Sequence, residues 1–355
     1  MTLAPGINNN VFLNSKRLLA DPAADHFIQE VFADPVKKAD LRKWLGNEPG
    51  KSELEWIKNH YPDVKFIQQA NILPAWADQQ LMRRGSALFV RHSEMVMNLL
   101  GLLSLPYCYT AANGAMVLYL SELITRQTTK RLFDTAIFVW EVMGPDAYEE
   151  TGSAYTEILK IRIIHAAVRY HTLRSEKWDH TWGTPINQED MAGTNLSFSL
   201  IVTRGMKKLG IKVSPENEEA FLHVWSVIGY LMGLDEDLIP KNKREADNLD
   251  LAIKNREFRA SSHGAELTQS LVNHIMSVNT SKATADDIIG LMRYLLGDEI
   301  ADMLAMKKVA LPAYKLMLLK SLNFLKQLKP HGPVGTSYNK SYTAFKALNP
   351  TFRSA

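Results

Sequence analysis

From Ser52 onward the apolar residues recur at three- and four-residue spacing in run after run, and no stretch alternates apolar with polar residues between hairpin turns. That period is the helical repeat, and a half-buried sheet needs a period of two, so the expected class is all-α. The pattern predicts helices over 53–60, 64–83, 88–103, 118–143, 151–173, 187–209 and 215–233, followed by 242–255, 264–278, 283–296, 298–305 and 313–328. Asn187 is expected to cap its helix, with Gln188, Glu189 and Asp190 in the first turn, where negative charge suits the helix dipole. No tandem repeat and no low-complexity block interrupts the series.

A chain of 355 residues with 46% apolar residues can form a single large domain able to enclose a cofactor. Residues 1–50, punctuated by Pro5, Pro22, Pro35 and Pro49, are expected as an irregular N-terminal arm. Residues 51–328 are expected as the helical domain, and 329–355, opening on Pro330-His331-Gly332-Pro333, as a basic tail. The stretch 95–121 has no charged residue and is long enough to span a bilayer. Because it holds Asn98, Pro106 and Asn113, buried core helices divided at Pro106 are the expectation.

The single cysteine, Cys108, allows neither an intrachain disulfide nor a thiolate cluster and fits a reducing compartment. Residues 1–10 lack a basic segment followed by an apolar run, so a cytoplasmic protein is expected. A net charge of +3 does not point to nucleic acid. After Asp302 no acidic residue occurs, while residues 303–355 carry eight Lys and one Arg. A solvated basic face and peripheral contact with an anionic membrane surface both accommodate that asymmetry.

Several enzyme classes fail at the motif level. There is no Gly-x-Gly-x-x-Gly, no Gly-x-x-x-x-Gly-Lys-Ser/Thr and no His-Glu-x-x-His. Glu-x-x-His, which helical di-iron carboxylate proteins place on facing helices, is also missing, so an iron centre here needs another ligand set. Without Cys-x-x-Cys-His, any haem is non-covalent.

Of ten histidines, His165 has the setting of a ligand. Ile158, Ile161, His165 and Val168 fall on one face, while Arg162 and Arg169 fall elsewhere. An imidazole on an apolar stripe must find a partner, either a hydrogen bond to a neighbouring helix or an axial bond to haem iron. The small Ala166 and Ala167 are expected to let a flat macrocycle approach. Upstream, Arg131, Asp134 and Thr135 are spaced i, i+3, i+4, with Phe138 continuing their face. They form either a surface Arg131–Asp134 ion pair or a polar group over an oxygen site. In the second reading Arg131 stabilises negative charge on dioxygen and Thr135 adds a hydroxyl.

Three segments together resemble the rubber oxygenase (latex-clearing protein) family and the related MpaB-type oxygenase of mycophenolic acid biosynthesis. They are Arg131-x-x-Asp134-Thr135, Arg162-Ile163-Ile164-His165-Ala166-Ala167-Val168-Arg169 and Gly183-Thr184-Pro185-Ile186-Asn187-Gln188-Glu189-Asp190-Met191. Val227-Ile228-Gly229-Tyr230-Leu231-Met232-Gly233 fits as well, and the likeness covers about 85–240. The resemblance implies a globin-like helical core around haem b, His165 as proximal iron ligand, Arg131 and Thr135 on the distal side, and dioxygen as co-substrate. Rubber oxygenases can carry a lysine that approaches the iron where this chain has Asp134. The acid puts a lysine-capped resting state in doubt. A catalytic carboxylate has no secure counterpart, Glu122 being the nearest upstream acid.

The resulting expectation is oxidative cleavage of a carbon–carbon double bond in a small lipophilic, isoprenoid-like substrate. A haem enzyme of another reaction type (hydroxylase, dehydrogenase or peroxidase-like) and a non-enzymatic haem or lipophile carrier or gas sensor are the competing readings.

Overall fold

The computed structural model describes residues 10–121, 123–279, 281–328 and 332–347. Among them there is no strand, only an isolated antiparallel bridge between Ala111 and Phe258, and the architecture is all-α. The most extensive pairing joins the Gln79–Leu99 and Pro215–Leu231 helices. Gly85 makes it possible, since a Cβ there would lie 2.5 Å from the Ala220 carbonyl oxygen. Phe89, Val224, Val227 and Ile228 are buried along this seam and open the main core.

The N-terminal region departs from the expectation. Instead of a loose arm, it forms the helices Asn10–Leu18, Pro22–Phe32, Pro35–Gly46 and Lys51–His60. Asp21 and Asp34 cap two of these helices, and the prolines that follow sit in their first turns, where a missing N–H costs nothing. Phe27, Ile28, Val31, Trp44 and Ile57 are fully buried in a second core, worth roughly 1.5–3 kcal/mol each. That is why the segment stays on the body.

Four further boundaries differ. Residues 64–83 are not one helix: Lys65–Gln68 is a single turn, and Asp78 caps the long helix that follows. The chain does not break at Pro106. A π-helical turn over Leu100–Ser104 carries it into Leu105–Thr110 with Pro106 in the first turn, and the break comes at Ala111. The expected 118–143 helix is divided into Ala112–Leu120 and Leu123–Val142, and 187–209 breaks at Ser199. Part of the expected tail is the helix Val334–Lys346, whose Tyr338 hydroxyl donates to the Trp140 carbonyl at 2.9 Å. The other predicted helices form close to their expected bounds. Among the described residues no helix is long and apolar enough to cross a membrane, and Val96, Leu99, Leu103, Tyr107, Tyr109 and Ala115 of the uncharged stretch lie in the main core.

The Ala154–Arg174 helix runs between the two cores. Ile158 enters the main core and Ile161 packs against it, while Leu159, Ile163 and Ala166 enter the N-terminal one.

Candidate functional site

His165 sits on the main-core side of the Ala154–Arg174 helix, as the stripe predicts. Neither ring nitrogen makes a hydrogen bond among the described residues, and Nδ1 is buried without a partner. Burial pushes the imidazole pKa down to about 3, with the charges of Arg169 and Arg131 adding to the depression and Asp21 opposing it. The ring is therefore neutral at physiological pH, the form that binds a metal. It is nonetheless only half-buried, as are Ile161 and Val168. The three leave surface open along one stripe of the helix.

Two ion pairs fasten the helix next to His165. Arg162 donates Nε and Nη2 to Asp21 at 2.6 and 3.1 Å, and Arg169 donates Nε to Asp25 at 2.6 Å. The arginines three before and four after His165 thus clamp the Pro22–Phe32 helix, and Arg162 also covers the Phe66 ring. Arg169 and Asp21 both lie close enough to act on the His165 charge, so the two arginines flank the ring and do not occupy the separate face expected of them.

Arg131 faces the site from the Leu123–Val142 helix, close enough to shift His165. Burial lowers its own pKa, partly offset by Tyr109, and among the described residues it has neither an ion pair nor a hydrogen bond. A half-buried guanidinium with no acceptor among the described residues keeps its N–H donors available. Thr135, one turn on, is half-buried and also without a hydrogen bond among the described residues, and Phe138 continues the stripe into the core.

Asp134 does not join them. It is exposed and takes its hydrogen bond from Lys130 at 2.6 Å, so the Arg131–Asp134 pair is absent and the assignment of Asp134 to the site is corrected. The spacing i, i+3 leaves it at the solvent edge of the stripe. Ala166 and Ala167 are corrected as well: they pack in the N-terminal core and leave the macrocycle no approach on that side. Glu122 lies outside the described residues.

Tyr109 was missed by the sequence reading. It is buried beside Arg131, and burial raises its pKa above the ordinary range, so it is a neutral hydroxyl. Nothing in an uncharged apolar run marks one tyrosine over another. Cys108, pushed up to about 11 by burial, is not a nucleophile.

Residues 91–322 match the family model described as "ER-bound oxygenase mpaB/B'/Rubber oxygenase, catalytic domain". The chain belongs to this family. The family match runs further toward the C-terminus than the motifs around 85–240 indicated. A curated relative, the rubber oxygenase of Streptomyces sp. (strain K30), is 28% identical over 295 residues, covering 79% of this chain and 72% of its own length. In fold the family member resembles a latex clearing protein solved in its closed state. The TM-score is 0.73 at 24% identity, covering 92% of this chain and 90% of that one. The chain is thus an oxygenase, an oxidoreductase.

Proposed function

We propose that this oxygenase holds haem b through His165 and cleaves a carbon–carbon double bond of a lipophilic, isoprenoid-like substrate with dioxygen. The carrying observation is a neutral, half-buried imidazole beside a half-buried guanidinium, neither with a hydrogen-bond partner among the described residues. An imidazole serving only packing would have found a carbonyl, because an unpaired buried polar group costs on the order of 1–3 kcal/mol. The donor set also suits a porphyrin iron, since no cluster of three His, Cys, Asp or Glu among the described residues can hold a bare metal.

A bound haem supplies redox-active iron for the activation of dioxygen, chemistry that no side chain here offers. His165 offers the ligand nitrogen. Arg131 keeps its N–H donors free for negative charge that builds up as dioxygen is reduced, in surroundings poor in water. Thr135 adds a hydroxyl on the same stripe. Ile161 and Val168 offer half-buried apolar surface on the same stripe as His165, suited to an alkene. In the overall reaction each alkene carbon gains one oxygen atom, so dioxygen and one double bond become two carbonyl groups with no external reductant. The name of the rubber oxygenase relative supports an unsaturated hydrocarbon substrate.

The test is haemin titration of the wild type and His165→Ala, followed by oxygen uptake and product mass spectra with a panel of unsaturated isoprenoids under ¹⁸O₂. A Soret band lost in the variant and carbonyl products carrying the label are expected. A wild type that takes up no haemin removes the cofactor assignment. A haem-loaded protein that consumes no oxygen with any alkene favours carriage.

A further inference from the structure

The Ala313–Leu328 helix is turned inside out relative to an ordinary surface helix. It is held to the body largely by polar groups. Asn323 is buried and donates to the Leu209 carbonyl at 3.0 Å, and Gln327 accepts from the Lys212 backbone N–H at 3.0 Å and donates to the Gly210 carbonyl at 3.2 Å. These contacts satisfy the C-terminal end of the Leu200–Lys208 helix, with Leu316 and Leu319 half-buried beside them. The opposite side carries Tyr314, Met317, Leu318, Leu322, Phe324 and Leu325, all exposed.

At 100° per residue those six side chains occupy one arc of about 160°. Lys320 borders one edge of the arc, next to Phe324, and Lys315 and Lys326 border the other, next to Leu322. An apolar arc between two rails of lysine is the pattern of a helix lying in a lipid interface, where the stems extend along the acyl boundary and the ammonium groups reach the headgroups. We propose that this helix seats the enzyme on an anionic lipid surface. The absence of any acidic residue after Asp302 supports a partner of negative charge. A second copy of the chain, laid face to face, would bring lysine rails of like sign together. Lys315 and Lys326 do reach Asp287 at 2.7 Å and Glu94 at 3.1 Å, and Lys320 lies 5.3 Å from the Tyr294 ring centroid. The Lys326–Glu94 pair is exposed on both sides, so headgroups displace it at little cost. The inference does not depend on the haem reading.

The experiment is flotation of the full chain with vesicles of phosphatidylcholine, with and without a third of phosphatidylserine, alongside circular dichroism and light scattering. The wild type is expected to float with the anionic vesicles. Leu318→Ser/Leu322→Ser/Leu325→Ser changes only exposed positions and should weaken binding roughly tenfold or more with an unchanged spectrum. Lys320→Glu/Lys326→Glu should weaken it at low salt, and high salt should erase the difference. A wild type that stays with the soluble fraction, or a serine variant that floats equally well, overturns the proposal. A wild-type dimer that ignores vesicles and is split by the serine variant assigns the face to a second copy and overturns it too.

Discussion

Asp21 binds Arg162 through two N–H groups, at 2.6 and 3.1 Å, and the same carboxylate caps the Pro22–Phe32 helix by accepting from the Ala24 backbone N–H at 3.3 Å. One buried acid therefore starts the second N-terminal helix and fastens it three residues before His165. Asp21→Ala removes the cap and leaves Arg162 charged and half-buried, at an expected cost of about 3–5 kcal/mol. Chemical denaturation should show the loss. Haemin titration should show weaker uptake, because the helix presenting His165 loses its clamp. A variant of unchanged stability would mean that solvent replaces the carboxylate freely.

Arg131→Leu should separate stability from activity. The guanidinium is half-buried with no acceptor among the described residues, and its surroundings disfavour the charge, so an apolar side chain of similar volume relieves that penalty. The apoprotein should be at least as stable as the wild type while oxygen uptake at equal haem content falls by about 100- to 1000-fold. Thermal melts and single-turnover uptake measure the two. If stability and activity fell together, Arg131 would be a structural group with a partner.

Glu157 gives the fold a pH dependence. Burial raises its carboxyl to about 7, Glu141 and Asp134 push the same way, and Lys160 opposes them. In the unfolded chain it ionises at the ordinary value, so the folded state is favoured below about 4.5. That contribution fades as pH rises to 7, by at most roughly 3 kcal/mol. Glu141 accepts from the Tyr342 hydroxyl at 2.6 Å, so the Val334–Lys346 helix should loosen first on the alkaline side. Urea midpoints between pH 5 and 8 should decline in the wild type and flatten in Glu157→Gln. A slope unchanged by the substitution would place the titrating group elsewhere.

What was legible in the sequence follows from what spacing encodes. Period and step put His165, Arg131 and Thr135 on faces that are half-buried, because apolar periodicity reports the face of a helix that turns inward. Spacing does not report where the edge of that face meets solvent, and Asp134 lies beyond it. Ala166 and Ala167 misled for a related reason: the Ala154–Arg174 helix has two inward faces, and a single-stripe reading assigns small residues to whichever core is in mind. Pro22 and Pro35 suggested an irregular arm because proline was weighed as a breaker, although Asp21-Pro22 and Asp34-Pro35 are start signals. Tyr109 reaches Arg131 across the tertiary fold, and no local pattern carries such a contact.

The Pro185–Asp190 segment, one of the motifs that carried the family resemblance, is a fastening and not part of the site. Glu189 is fully buried and accepts from Arg17 at 3.3 Å and from Arg256 at 2.8 Å. Arg256 in turn donates to Asn10 and Asn14, and Gln188 donates to the Ala20 and Gly233 carbonyls. The segment thereby ties the first helix to the Lys243–Glu257 helix and to the end of Pro215–Leu231. Ile186 sits at φ +50°, a conformation that costs a β-branched residue on the order of 1–3 kcal/mol and that these surrounding bonds maintain. Glu189→Gln removes the carboxylate that pairs with Arg256, while Arg17 keeps Asp190 at 3.2 Å and Glu257 at 3.1 Å, and should cost about 1–3 kcal/mol. Because Glu189 has no exposed surface, oxygen uptake per bound haem should stay at the wild-type value. A fall in that ratio with an unchanged denaturation midpoint would move the segment into the catalytic machinery.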